Sequence, residues 1–197
     1  MSEEPILNTQ LNRRKKVVTD VVIACILLFV LAFFYFLSNV WLSVHLVRNV
    51  SMQPTLVDGD IVWADDLAKP THGDVIIFAY DEDTDYVKRV IATEGDTLYF
   101  EKVGERYLVY IKYKGKEIRE LLNEPYLEEG TITTYKSTPT YVVKEGELFV
   151  MGDNRAESYD SRDFGAITEE QVKGVVHNFF IKIKGFTKKV YGANLSR

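Results

Sequence analysis

Hydrophobic positions along this chain change their pattern near residue 41. Residues 21–37 carry no charge, and only Tyr35 offers a polar handle. Extended to Val17 and Trp41, the run is long enough to cross roughly 30 Å of hydrocarbon as a helix. It shows no polar face, which argues against a helix lying on the surface of a soluble domain. Beyond it come short runs rich in Val, Ile, Tyr and Phe, at 60–64, 74–80, 86–93, 97–100, 106–113, 131–135, 141–143, 147–152 and 172–183. Turn signals at Gly59, Gly73, Gly95, Gly104, Gly115, Gly130 and Gly146 separate most of them. Short strands between such turns predict a mostly β domain of antiparallel sheet, built as a sandwich or barrel. Helical periodicity is weak there, although Thr168-Glu169-Glu170-Gln171 fits a capping box.

Charge sharpens the division. The formal net charge is −5 over 197 residues. Residues 1–41 hold four bases against three acids, so the remaining 20 bases and 26 acids leave −6 for the rest. A domain that acidic lacks the clustered Lys and Arg needed to bind nucleic acid. Arg13-Arg14-Lys15-Lys16 precedes the apolar run, which predicts a cytoplasmic N-terminal segment at 1–16, a transmembrane anchor at 17–41 and an extracytoplasmic domain at 42–197. Asp20 sits close enough to the basic cluster to lie at headgroup level. A cleaved secretory leader is the competing reading, but Ser38-Asn39-Val40-Trp41-Leu42-Ser43 contains no Ala-x-Ala-like site. Residues 1–10 read as polar and disordered, 185–197 as a surface tail, and the more polar stretch at about 102–145 as a small lobe inserted in the β domain.

The single cysteine, Cys25, lies inside the apolar run, so no disulfide forms within the chain. His45, His72 and His177 are scattered, which argues against zinc. The acidic loop after residue 152 lacks the twelfth-position glutamate of an EF-hand, which argues against calcium.

Two residues become chemically interesting together. Ser51, in Ser51-Met52-Gln53-Pro54-Thr55-Leu56, precedes a proline that makes a helix beginning there awkward, so a turn presents its hydroxyl. A serine hydroxyl is a weak nucleophile without a base to take its proton. Lys88 lies in Tyr86-Val87-Lys88-Arg89-Val90-Ile91, a run that reads as a buried strand. Alternation puts Lys88 on the face of Tyr86 and Val90, and Arg89 on the face of Val87 and Ile91. One resolution is that Arg89 meets a carboxylate while Lys88 is desolvated, which lowers its pKa from about 10.4 toward the range a general base needs. The bland alternative is an edge strand whose cations snorkel to water. The stretch from Met151 to Gly165 is dense in Asp and Arg, and Asp153, Asp160 and Asp163 can face Arg89, Arg155 or Arg162.

Taken together, Ser51-Met52-x-Pro54-Thr55-Leu56, Gly73-Asp74-Val75, Tyr86-Val87-Lys88-Arg89-Val90-Ile91-Ala92 with Gly95-Asp96, and Gly152-Asp153-Asn154-Arg155-x-x-Ser158-x-Asp160-Ser161-Arg162-x-x-Gly165 resemble the type I signal peptidases. The blocks occur in that family's order behind an N-terminal anchor, and the short insert is similar to the Gram-positive bacterial branch. The resemblance implies a mostly β serine endopeptidase that removes signal peptides from presecretory proteins at the membrane, with no cofactor and no metal. It implies Ser51 as nucleophile, Lys88 as general base and Ser158 as the residue that orients the lysine amine. Arg89, Asp153, Asp160 and Arg162 match positions that brace the site by ion pairs. Oxyanion donors are implied at the Ser51 N–H and at Asn49, where better-known members carry serine. The family binds an extended substrate beside a strand and takes small residues at the −1 and −3 positions. His72 departs from the arginine that commonly precedes the Gly-Asp pair. Ser51 follows Trp41 by about ten residues, a tether of at most roughly 33 Å from the bilayer.

Three rival readings remain. A Ser-His-Asp hydrolase can be drawn from Ser51, His72 and Asp74, although nothing resembles Gly-x-Ser-x-Gly. A self-cleaving Ser–Lys regulatory peptidase shares the dyad, but the anchor and the lack of a DNA-binding helix pair argue against it. A non-catalytic anchored β domain that binds partners would not need both Ser51 and Lys88.

Overall fold

A computed structural model describes residues 4–40, 42–135 and 139–176, with side chains at 13–36, 43–135 and 139–176. The chain divides into two units, Met1–Leu42 and Ser43–Arg197. The first is a single helix, α1 (Glu4–Val40). Within it, Arg13–Phe36 has a mean hydropathy of 2.9 over its most apolar window and exposes its Val, Ile, Leu and Phe side chains. The helix begins at Glu4, so residues 4–10 are not disordered as their polarity suggested. Leu, Gln, Arg and Lys propagate a helix well, and the basic cluster continues it instead of breaking it.

The second unit is built on two antiparallel sheets. The larger contains β1 (Leu42–Leu46), β2 (Ile61–Asp65), β3 (Val75–Ala79), β4 (Asp85–Ala92), β9 (Glu147–Met151), β10 (Ile167–Thr168) and β11 (Val172–Val176). Its order is β1-β2-β11-β3-β4-β9-β10. The smaller contains β5 (Thr97–Val103), β6 (Arg106–Lys112), β7 (Glu120–Leu121) and β8 (Thr140–Val142), in the order β7-β6-β5-β8. This second sheet starts at Thr97, ahead of the polar stretch at 102–145. Lys102 is interior to β5, which pairs with β6 from Thr97↔Lys112 to Val103↔Arg106.

The sheets share a core. Leu98, Phe100, Val109 and Ile111 of the lobe pack with Ile91, Ala92, Phe149 and Met151 of the larger sheet. Each of these side chains larger than Ala, fully buried, contributes about 1.5–3 kcal/mol. A second cluster, with Val47, Met52, Leu56, Val62 and Ile77, lies beneath the turn that carries Ser51.

Several expected strands changed on folding. Residues 131–135 form no strand; Thr133 and Tyr135 are buried in an irregular strap instead. The run at 172–183 is a strand at Val172–Val176, and 177–183 and the tail at 185–197 lie outside the described residues. The capping-box motif makes a single 3-10 turn, Glu169–Gln171, with the Thr168 N–H donating to Gln171 Oε1 at 2.9 Å. A four-residue helix, α2 (Ser161–Phe164), was not anticipated; Asp160 caps it.

Candidate active site

Ser51 opens a run of turns between β1 and β2, closed by Gln53 N–H to Val50 O at 3.0 Å and Leu56 N–H to Met52 O at 2.9 Å. Met52 and Leu56 are fully buried and anchor the turn, while Ser51 is half-buried. Lys88 reaches it from β4: Nζ lies 2.8 Å from Ser51 Oγ and 3.1 Å from Val87 O. The Tyr86 ring, centred 5.1 Å from Nζ, covers the amine on the same face of the strand. Lys88 is only 4% exposed and forms no ion pair with a carboxylate among the described residues. Burial drives its pKa down to about 8, opposed by the charge of Asp160 and assisted by that of Arg162.

Its neighbour Arg89 is handled differently. Arg89 is also buried, and its Nε and Nη2 grip Asp153 Oδ1 and Oδ2 at 2.9 and 2.6 Å. Nη1 donates to Gly73 O at 2.7 Å, and the Tyr126 ring lies 4.0 Å from the guanidinium. Arg162 makes the same two-pronged grip on Asp160, both bonds at 2.8 Å. Burial alone would raise the Asp160 carboxyl, but hydrogen bonds and charge from Arg162 and the Gly152 N–H hold it below its ordinary range.

The loop after β9 closes on the Ser51 turn. Asn154 N–H donates to Ser51 O at 3.0 Å and its Nδ2 to Val50 O at 3.2 Å. Gly152 lies so close that a Cβ there would stand 2.4 Å from Ser51 O and 2.2 Å from Ser158 Oγ. Only a glycine permits that approach.

Two further residues named by resemblance lie close to the dyad's loops. Ser158 Oγ is buried beside Gly152 and adds to the hydrogen bonding that holds the Asp160 carboxyl low. The amine of Lys88 also donates to the Val87 carbonyl. Asn49 takes a φ of 101°, and its Oδ1 accepts the Val50 N–H at 2.5 Å, leaving its amino group as the donating half. The rival triad does not assemble. His72 Nε2 meets Asp96 at 2.5 Å, while Asp74 accepts from Thr71. Arg155 does not pair with Asp153, Asp160 or Asp163. It bonds Glu124 from the lobe, a partner that sequence separation hides. Among the described residues no His, Cys, Asp and Glu group could hold a metal ion.

A groove of about 730 Å³ runs past the dyad, with His45, Leu46, Val47, Arg48 and Asn49 on one wall and Asp83 to Lys88 on another. β9 pairs with β4 only at Arg89, Val90 and Ala92. Asp85 to Lys88 therefore keep a backbone edge free of β9. A hydroxyl within bonding reach of a desolvated amine, beside an open strand edge, is the equipment of a Ser–Lys hydrolase acting on extended peptides.

Comparison with known proteins gives the family. Residues 15–181 match the family described as signal peptidase, peptidase S26. The chain is 32% identical over 155 residues to signal peptidase I of Bacillus caldolyticus, covering 73% of this chain and 82% of that protein. It is 33% identical over 175 residues to signal peptidase IB of Staphylococcus aureus (strain COL), covering 82% and 88%. A crystal structure of a signal peptidase I from Enterococcus faecalis V583 aligns with a TM-score of 0.43 and 28% identity, over 56% of this chain and 98% of that one. The chain belongs to the peptidase S26 family of signal peptidases.

Proposed function

We propose that this protein is a membrane-anchored serine endopeptidase that removes signal peptides from exported preproteins, with Ser51 as nucleophile and Lys88 as general base. The observation that carries the reading is the 2.8 Å approach of Lys88 Nζ to Ser51 Oγ, made by an amine that is buried and given no carboxylate. Neutral Lys88 accepts the hydroxyl proton as Oγ attacks the scissile carbonyl. The resulting ammonium gives that proton to the departing amine, which leaves an acyl-enzyme on Ser51. Neutral again, Lys88 takes a proton from the water that attacks the ester and returns it to Ser51 Oγ as the signal peptide leaves with a new carboxyl terminus. Charge developing on the carbonyl oxygen faces the Ser51 N–H and the Asn49 amino group.

The substrate lies as an added strand between residues 45–49 and the open edge of β4. The apolar helix fits a single membrane anchor, and the Arg13–Lys16 cluster puts its N-terminus in the cytoplasm and the β domain outside. Partners of the protein are thus presecretory chains and the lipid bilayer. The test is cleavage of a presecretory protein by the detergent-solubilised full chain. Ser51→Ala and Lys88→Ala each lose about 10³-fold or more in kcat; processing by Ser51→Ala at the wild-type rate would overturn the assignment.

A further inference from the structure

We propose that Glu124, in the strap between β7 and β8, is a positioning residue for the Ser51 nucleophile, acting through Arg155. The inference rests on the reading of Ser51 and Lys88 as the reacting pair. Arg155 heads the large side chains that are fully buried, and each guanidinium nitrogen has a partner. Nη1 and Nη2 both reach the Glu124 carboxylate, Nη1 also meets Thr133 Oγ1 at 2.9 Å, and Nε donates to Gly152 O at 3.1 Å. The Tyr126 hydroxyl adds a third donor to Glu124 at 2.9 Å, and its ring covers Arg89.

The Gly152 peptide group is therefore fixed from both sides of its residue. Arg155 holds its carbonyl, and the Asp160 carboxylate holds its N–H at 2.9 Å. Two residues later, Asn154 grips the carbonyls of Val50 and Ser51. Arg155 follows Asn154 directly, so its seat sets where that grip falls. Without the Glu124 charge, a buried guanidinium lacks its counterion and must move toward water or another carboxylate. Such movement passes through Gly152 and Asn154 to the backbone that presents the nucleophile. Displacing a reacting group by about 1 Å can cost about 100-fold in rate.

Detergent-solubilised full-length enzyme cleaving a presecretory substrate provides the test. Glu124→Gln should lower kcat by about 10- to 100-fold with KM changed less than about threefold. Arg155→Met should do the same, and the double variant should be no worse than either single one. Val109→Ala, in the lobe core and outside the hydrogen bonds of Glu124 and Arg155, should lower Tm while keeping wild-type kcat. Should Glu124→Gln fail to fold, Glu124→Asp keeps the charge and is expected to be folded with an intermediate kcat. Wild-type kcat in the folded Glu124 variant, or additive losses in the double variant, would overturn the proposal. So would a kcat loss in Val109→Ala equal to that in Glu124→Gln at matched Tm. Activity in Ser51→Ala would instead sink the underlying dyad, so the two failures read differently.

Discussion

Lys88 and Arg89 are neighbours on β4, both cations and both buried, yet the protein treats them in opposite ways. Arg89 receives two oxygens of Asp153, a backbone carbonyl and an aromatic face. Lys88 receives a serine hydroxyl, the Val87 carbonyl and an aromatic ring. The side of the strand that faces Asp153 is compensated, which makes it rigid. The side that faces Ser51 is left short of negative charge, which makes the amine willing to lose its proton. Desolvation is a liability at one residue and the source of reactivity at the next.

Breaking the compensated side should have the largest effect on stability. Asp153→Asn leaves Arg89 buried without a counterion and is expected to cost about 3–5 kcal/mol. Thermal denaturation of the solubilised enzyme checks it; an unchanged Tm would mean that Arg89 escapes to water.

The uncompensated side should respond in the opposite direction. With a pKa of about 8 in the folded protein against 10.5 when unfolded, Lys88 makes the unfolded chain bind more protons between those values. Stability from this residue therefore rises with pH across that window, and its full cost is felt below about 8. Lys88→Met should stabilise the fold at pH 7 by on the order of 3 kcal/mol while abolishing turnover. The gain should fade as pH approaches 10.5. A loss of stability at pH 7 would show that the amine is better satisfied than its surroundings suggest.

The same property predicts a kinetic signature. kcat/KM should climb about tenfold per pH unit and level off near pH 8, because only the neutral amine accepts the proton. An acid limb that vanishes in His72→Ala would point to histidine chemistry instead. That variant is the smallest expected effect: kcat within about threefold of wild type, and roughly 1 kcal/mol lost with the hydrogen bond to Asp96.

How much of this was legible along the chain depends on distance in sequence. The anchor is a local property, and so are the strands whose β-branched and aromatic residues alternate. Ser51 and Lys88 stood out as candidates because their short motifs resemble a known family. Glu124 did not: it stands in a polar stretch with no motif, and it matters only because folding brings it to Arg155. The strand expected at 131–135 failed for a related reason, since Thr133 and Thr134 serve Arg155 and Arg162 instead of a neighbouring strand.

Sequence by itself determined that an apolar helix would precede an acidic, mostly β domain, because hydrophobic periodicity and turn residues act over a few positions. It also singled out Ser51 and Lys88 as the candidate nucleophile and base. Only the tertiary structure decided that one of two adjacent cations would lose its counterion and stand 2.8 Å from a serine. Burial and charge pairing are set by groups that meet across the fold, and no local pattern carries them.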